Sequence, residues 1–284
     1  MKFPMTDRYR LGACKRIYVP GNAFEYSSGD SVAIRTNHLP HFLSNVPMDK
    51  PIRLVTGFTD FPPELFLTHD EFVKVIENPN VIEWQAMNTM WTHPKLVHIG
   101  LGILQHMYNH LAKNAETLRA IPKKNEVFYS FQKDSNPHER ADLPNRGGEM
   151  IVERYAQELA SYKYVYCPMG AGMDTYRFYE AVCCGCIPIV KAPKGFVDTY
   201  SGFNYVCVPG TCYVVPGIIG HVWRKESPYV GECTVENTID LVTFDADEIY
   251  HDEQELKQIN HQWMHYNNNV LVQGFGGLRL VQPL

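Results

Sequence analysis

YKYVYCPMGAGMDTYRFYEAVCCGCIPIVK, residues 162–191, sets the architecture of the chain. Residues 164–167 form a short apolar run of β-favouring side chains, and Pro168, Met169, Gly170, Ala171 and Gly172 break it. Asp174 is a candidate helix N-cap, 175–184 has helical spacing, Gly185 is a stop signal, and 187–190 reads as a second buried strand. A strand, a turn, a helix and a strand within so short a span make a βαβ unit with parallel strands and a right-handed crossover. Such units hold ligands beyond the carboxyl ends of their strands, which here means the loop carrying Pro168, Gly170, Gly172, Asp174 and Thr175.

The helix that follows carries the charge pattern of a binding site. Arg177 and Glu180 stand three apart and share one face, while Phe178, Ala181 and Val182 share another that suits packing on the sheet. An arginine in a first helical turn opposes the macrodipole at a cost of a few tenths of a kcal/mol, roughly. A bound anion reverses that sign, because helix N–H groups, dipole and guanidinium then all attract it. A solvated Arg–Glu pair is the competing explanation. The Gly170-Ala171-Gly172 tripeptide is only a weak match to a dinucleotide fingerprint: Thr175 occupies the place of the third glycine, and no acidic residue closes a second strand at the required distance. An NAD-dependent enzyme on this scaffold therefore stands as an alternative.

The same stretch resembles the signature of exostosin-like glycosyltransferases of family 47 and its relatives. That signature is a strand, a Pro-x-Gly loop, Asp, Arg and Glu on a helix, then Gly-Cys-Ile-Pro and a strand. The matching residues are Pro168, Gly170, Asp174, Arg177, Glu180, Gly185, Cys186, Ile187 and Pro188. The resemblance implies the nucleotide-sugar half of a GT-B enzyme, with the acidic helix residue near the ribose and basic residues near the diphosphate. It extends more weakly to Leu54-Val55-Thr56 with Asp60, to 84–88, to 96–102, and to the Asn136-Pro137-x-x-Arg140 segment, with Gly100 standing where relatives carry proline. On this reading Asn136 and Arg140 join the nucleotide-binding set.

Working outward, alternating strands and helical stretches at 31–35, 38–43, 52–56, 70–77, 81–86 and 96–99 point to a first parallel α/β domain. A helix at 104–119 leads to a strand at 126–131 and a polar loop at 132–148, too long to be mere connection. Strands at 203–208 and 239–244 and a helix at 252–266 follow. The expectation is an α/β protein of two Rossmann-like parallel-sheet domains facing across a cleft, a compact GT-B-like form lined by loops 57–63, 132–140 and 168–175. The divisions are 1–120 for the acceptor side, 121–250 for the nucleotide-sugar side, and 251–284 for a terminal helix and tail packing back toward the first domain.

Composition narrows the function. The 284 residues are 45% hydrophobic and 20% charged, enough for one large core or two modest ones. A net charge of −5 and an isoelectric point near 6.2 argue against nucleic acid as the partner. No run of eighteen apolar residues occurs, and 1–18 is too polar for a signal peptide. A cytoplasmic protein is expected, as for some virus-encoded glycosyltransferases, unless a Golgi anchor of the kind usual in the family has been removed. The eight cysteines lack framework spacing; Cys183, Cys184 and Cys186 read as buried thiols rather than a zinc site, since no second pair follows.

The resemblance implies a UDP-sugar donor, with UDP-xylose as the guess, and an oligosaccharide or glycoprotein glycan as acceptor. Inverting transfer needs a base on the acceptor hydroxyl. Asp60, in a loop after a strand, is the first candidate, His38 the second, and His69 with Asp70 the third. Asp245-Ala246-Asp247 matches the metal motif of GT-A enzymes, but its place before an acidic helical stretch favours capping, so no essential metal is expected. A non-catalytic nucleotide- or carbohydrate-binding relative is the remaining alternative.

Overall fold

A computed structural model describes residues 11–145, 151–170, 172–191, 206–208, 258–259 and 262. The chain forms two compact units, one containing residues up to Ile99 and the other starting at Gly100. Each described sheet is wholly parallel, with strands in chain order.

The first unit holds β1 (Arg16–Ile17), β2 (Asp30–Arg35), α1 (Leu39–Asn45), β3 (Ile52–Gly57), α2 (His69–Ile76), β4 (Val81–Met87) and β5 (Leu96–Ile99). The strands read as apolar runs because both faces of a parallel sheet are covered: Leu54, Val55, Thr56 and Gly57 are all buried along β3. Phe42 from α1, Phe72 and Ile76 from α2, and Trp84 from β4 close the core. The Trp84 indole is satisfied by donating to Thr56 Oγ1 at 2.9 Å. Helix α2 starts on a reciprocal cap, in which Thr68 Oγ1 accepts from Glu71 N and the Glu71 carboxylate accepts from Thr68 N. His69 and Asp70 are thus exposed first-turn residues.

The second unit holds α3 (Gln105–Arg119), β6 (Lys124–Phe128), α4 (Pro137–Arg140), α5 (Val152–Ala160), β7 (Tyr162–Tyr166), α6 (Tyr176–Cys183), β8 (Ile187–Lys191) and β9 (Val206–Val208). The boundary lies ahead of the one expected near residue 121, because α3 packs on α5 and α6. Helix α5 is an addition that the sequence reading passed over. Its signal was present in Val152, Tyr155, Ala156 and Leu159, which follow helical spacing, with Ala156 and Leu159 fully buried.

Helix α6 ends in a Schellman motif. Cys186 N donates to Ala181 O at 2.9 Å and Gly185 N to Val182 O at 3.0 Å, with Gly185 at φ +70°. Two cations finish the cap: Arg119 Nε donates to Cys183 O at 2.9 Å and Lys123 Nζ to Cys184 O at 2.7 Å. The expected strand at 239–244 and the Asp245-Ala246-Asp247 segment lie outside the described residues, as does most of 252–266. No helix among the described residues is long and apolar enough to cross a membrane.

Candidate functional site

The loop between β7 and α6 is held from two sides. Arg140, 5% exposed, donates from Nε to Met169 O (2.7 Å), from Nη2 to Pro168 O (2.7 Å), and from Nη1 to Gln132 O (2.8 Å) and the Ser135 hydroxyl. Its guanidinium also stacks over Phe131. Asn136, fully buried, donates from Nδ2 to Gly170 O at 3.1 Å while its side chain caps α4 through Glu139 N. These two residues therefore shape the loop from behind. Arg140 acts here as a loop clamp, its three nitrogens all donating to protein oxygens. Gly170 belongs to that clamp, because a Cβ there would stand 3.1 Å from Arg140 Nη2.

Asp174 secures the other side. Its Oδ2 accepts from Leu101 N at 2.7 Å and from the Tyr179 hydroxyl at 2.6 Å, and its Oδ1 accepts from Thr175 N at 2.8 Å. The expected N-cap role falls instead to Thr175, whose backbone is extended and whose side chain makes no capping bond. A short polar side chain at 174 competes for nearby backbone N–H groups in just this way. Gly100 completes the arrangement: a Cβ would sit 1.8 Å from the Tyr179 hydroxyl, which explains why proline does not stand there.

The charged pair lies on α6 beyond this frame. Glu180 is 6% exposed, so a solvated surface pair does not describe it. Tyr155, on α5, stands between the two: its hydroxyl donates to Glu180 Oε2 at 2.8 Å and accepts from Arg177 Nε at 3.2 Å. Burial pushes the Tyr155 phenol well above its ordinary pKa, and the Glu180 carboxylate adds to the rise, so the phenol keeps its proton. Burial pulls the Arg177 guanidinium down, but Tyr155 and Glu180 outweigh it and the net shift is upward. Arg177 stays a cation at every working pH. It is half-buried, and its Nη1 and Nη2 bond to none of the described residues. Thr175 Oγ1, two residues earlier at the helix start, is buried without a hydrogen-bond partner among the described residues. A helix N-terminus, an open guanidinium fork and an unmatched hydroxyl form an anion-accepting corner.

Pro168, Gly170 and Gly172 lie in the loop that leads into α6, with Gly170 N donating to Gly172 O at 3.0 Å; Ala171 lies outside the described residues. The cysteines behind α6 are buried. Burial raises Cys183 to about 12 and Cys186 to about 11, and the Lys123 ammonium lies 3.7 Å from Cys186 Sγ.

In the first unit a second polar group gathers at the carboxyl ends of β2, β3 and β4. Asp60 is half-buried in the loop after β3, and its charge acts on Arg35 at the end of β2; burial pulls the Arg35 guanidinium down and Asp60 offsets part of this. His38 sits in the short 3-10 turn Thr36–His38 and is 1% exposed. Phe58 and Asn88, the first residues past β3 and β4, both adopt left-handed φ values of 61° and 57°. Such a conformation in a bulky aromatic residue is costly and clusters at working loops. Glu64 ties those loops together: Oε1 accepts from Thr89 Oγ1 at 2.8 Å, Met90 N at 2.5 Å and Trp91 N at 3.0 Å. Neither Glu64 nor Tyr155 was singled out from the sequence.

Residues 110–198 fit the family model of the RXYLT1 C-terminal domain. That span runs from within α3 past β8 and includes the clamp, the loop and the Tyr155–Arg177–Glu180 cluster. The match covers less than half of the chain and lies wholly within the second unit. No curated protein matches the chain significantly.

Proposed function

We propose that this protein is a glycosyltransferase that binds a UDP-sugar at the N-terminus of α6 and transfers the sugar, with inversion, to a glycan hydroxyl. The observation that carries the reading is the half-buried Arg177, held through Nε with Nη1 and Nη2 turned to no described partner. Those two groups match the bidentate geometry of a diphosphate, and Thr175 Oγ1, two residues earlier, has no hydrogen-bond partner among the described residues. Glu180, with one oxygen bonded to Tyr155, accepts from the ribose hydroxyls through the other. The matched family's relation to xylosyltransferases favours UDP-xylose as donor.

In this reading the leaving diphosphate gathers charge as the glycosidic bond breaks, and a fixed guanidinium with helix dipoles stabilises that charge without an essential metal. Asp60 is the proposed base. It is an ionisable group in a half-buried loop, whereas His38 is closed off from solvent. The base takes the acceptor proton as the hydroxyl oxygen attacks the anomeric carbon from the face opposite UDP.

The test has two stages. A thermal-shift panel of UDP, other nucleotides and NAD should show stabilisation by UDP, and calorimetry should show Arg177→Ala binding UDP ten- to hundredfold more weakly, about 1.5–3 kcal/mol. Sugar release from a panel of UDP-sugars, assayed in EDTA, then identifies the donor. Stabilisation by NAD and not UDP, or undiminished UDP binding by Arg177→Ala, overturns the reading.

A further inference from the structure

We infer that Tyr155 is the positioning residue of the nucleotide site, a role that rests on the UDP-binding reading above. The inference starts from proton accounting. A phenol carries one proton, and here it goes to Glu180 Oε2 at 2.8 Å. The hydroxyl lone pairs then face Arg177 Nε at 3.2 Å, whose N–H has its acceptor there. One oxygen thus holds two side chains that are three residues apart on another helix.

Two consequences follow for the ligand. A guanidinium has five N–H groups in a rigid plane, so fixing Nε fixes the direction of Nη1 and Nη2. Without Tyr155 the arginine would sample several rotamers, and ordering it on a ligand would cost binding free energy. Glu180 is held likewise by one oxygen, which orients the other. The diphosphate contact and the ribose contact are therefore aligned by the same hydroxyl. Tyr155 reaches this place from α5, packed edge-on against Phe128 with ring centroids 6.1 Å apart. Phenylalanine would keep that packing and delete only the hydroxyl.

A double-mutant cycle in UDP binding tests it, using the full chain with Tyr155→Phe, Arg177→Ala and the pair. Tyr155→Phe should weaken UDP binding about fivefold to tenfold, and clearly less in the Arg177→Ala background, where only the alignment of Glu180 is left to lose. A merely structural role would lower affinity equally in both backgrounds, and that result overturns the inference. A Tyr155→Phe protein that binds UDP as tightly as the parent overturns it too, while leaving the UDP reading intact if Arg177→Ala has weakened binding. A parent protein that does not bind UDP removes both. Nitrogen NMR of the parent protein gives a second measurement, made on the unaltered site. The Arg177 Nε–H signal, assigned by its loss in Arg177→Ala, should be protected from exchange before UDP is added, and a signal exchanging as fast as free arginine overturns the positioning role.

Discussion

Glu64 gives one carboxylate oxygen to three donors and buries the other, Oε2, with no hydrogen-bond partner among the described residues. Burial raises its pKa above the ordinary 4.5, and the bonds from Met90, Thr89 and Trp91 only partly oppose the rise. The folded value is above the unfolded one, so within that window the native state binds more protons. Stability therefore falls as pH rises from 4.5 through the folded value, and levels off above it. Glu64→Gln keeps an accepting oxygen but cannot titrate. Urea unfolding across that range should show the decline flattened in Glu64→Gln; a slope equal to that of the parent would place the pH dependence elsewhere. The same residue-scale logic separates the two arginines. Arg140 and Arg177 look equivalent as letters in a signature, yet the nitrogens of Arg140 face the carbonyls of Pro168, Met169 and Gln132. Carbonyls brought in by folding decided that difference.

At the scale of elements, α6 depends on how it stops. The Schellman turn needs Gly185 at φ +70°, where an L side chain is strained, and a Cβ would also meet Arg119 Cγ at 3.3 Å. Gly185→Ala should cost about 1–2 kcal/mol from the backbone alone. It should also disturb the Arg119 bond to Cys183 O and so loosen the same helix that carries Arg177 and Glu180. Thermal unfolding and hydrogen exchange of residues 176–183 measure this; unchanged exchange there would show the cap to be dispensable. The stop at Gly185 was legible because glycine after an apolar helical run is a local signal. Helix α5 was equally local in its spacing, but its four-residue pattern lies beside a long polar loop, and that contrast hid it. Tyr155 went unnoticed with it.

For the whole molecule, the thiols carry the clearest expectation. Cys167, Cys183, Cys184 and Cys186 are buried, and burial raises each pKa, to about 12 for Cys183 and about 11 for Cys186. The thiolate is the reactive form, so its fraction near neutral pH is negligible at these sites. Peptide mapping after iodoacetamide should find these four unmodified in the native protein and modified in denaturant. Native modification at the rate of a free cysteine would mean that the packing behind α6 opens readily. The two compact units place the division between Ile99 and Gly100 for a related reason of packing, since α3 has its apolar partners in α5 and α6.

Apart from α4 and α5, the order of strands and helices along 30–191, their parallel pairing and the position of the loop before α6 followed from the sequence by itself. Apolar spacing, Gly and Pro breaks and crossover length are properties of neighbouring residues and need no distant partner to be read. Tertiary structure alone decided what the polar side chains do. Asp174 turned from a helix cap into a tie to Leu101 and Tyr179, Arg140 clamps the loop through its carbonyls, and Glu180 is a buried partner of Tyr155 rather than half of a solvated pair. A buried donor or acceptor must find its match wherever the fold brings one, and that match lies 25 residues away for Glu180 and 73 for Asp174, beyond any local pattern.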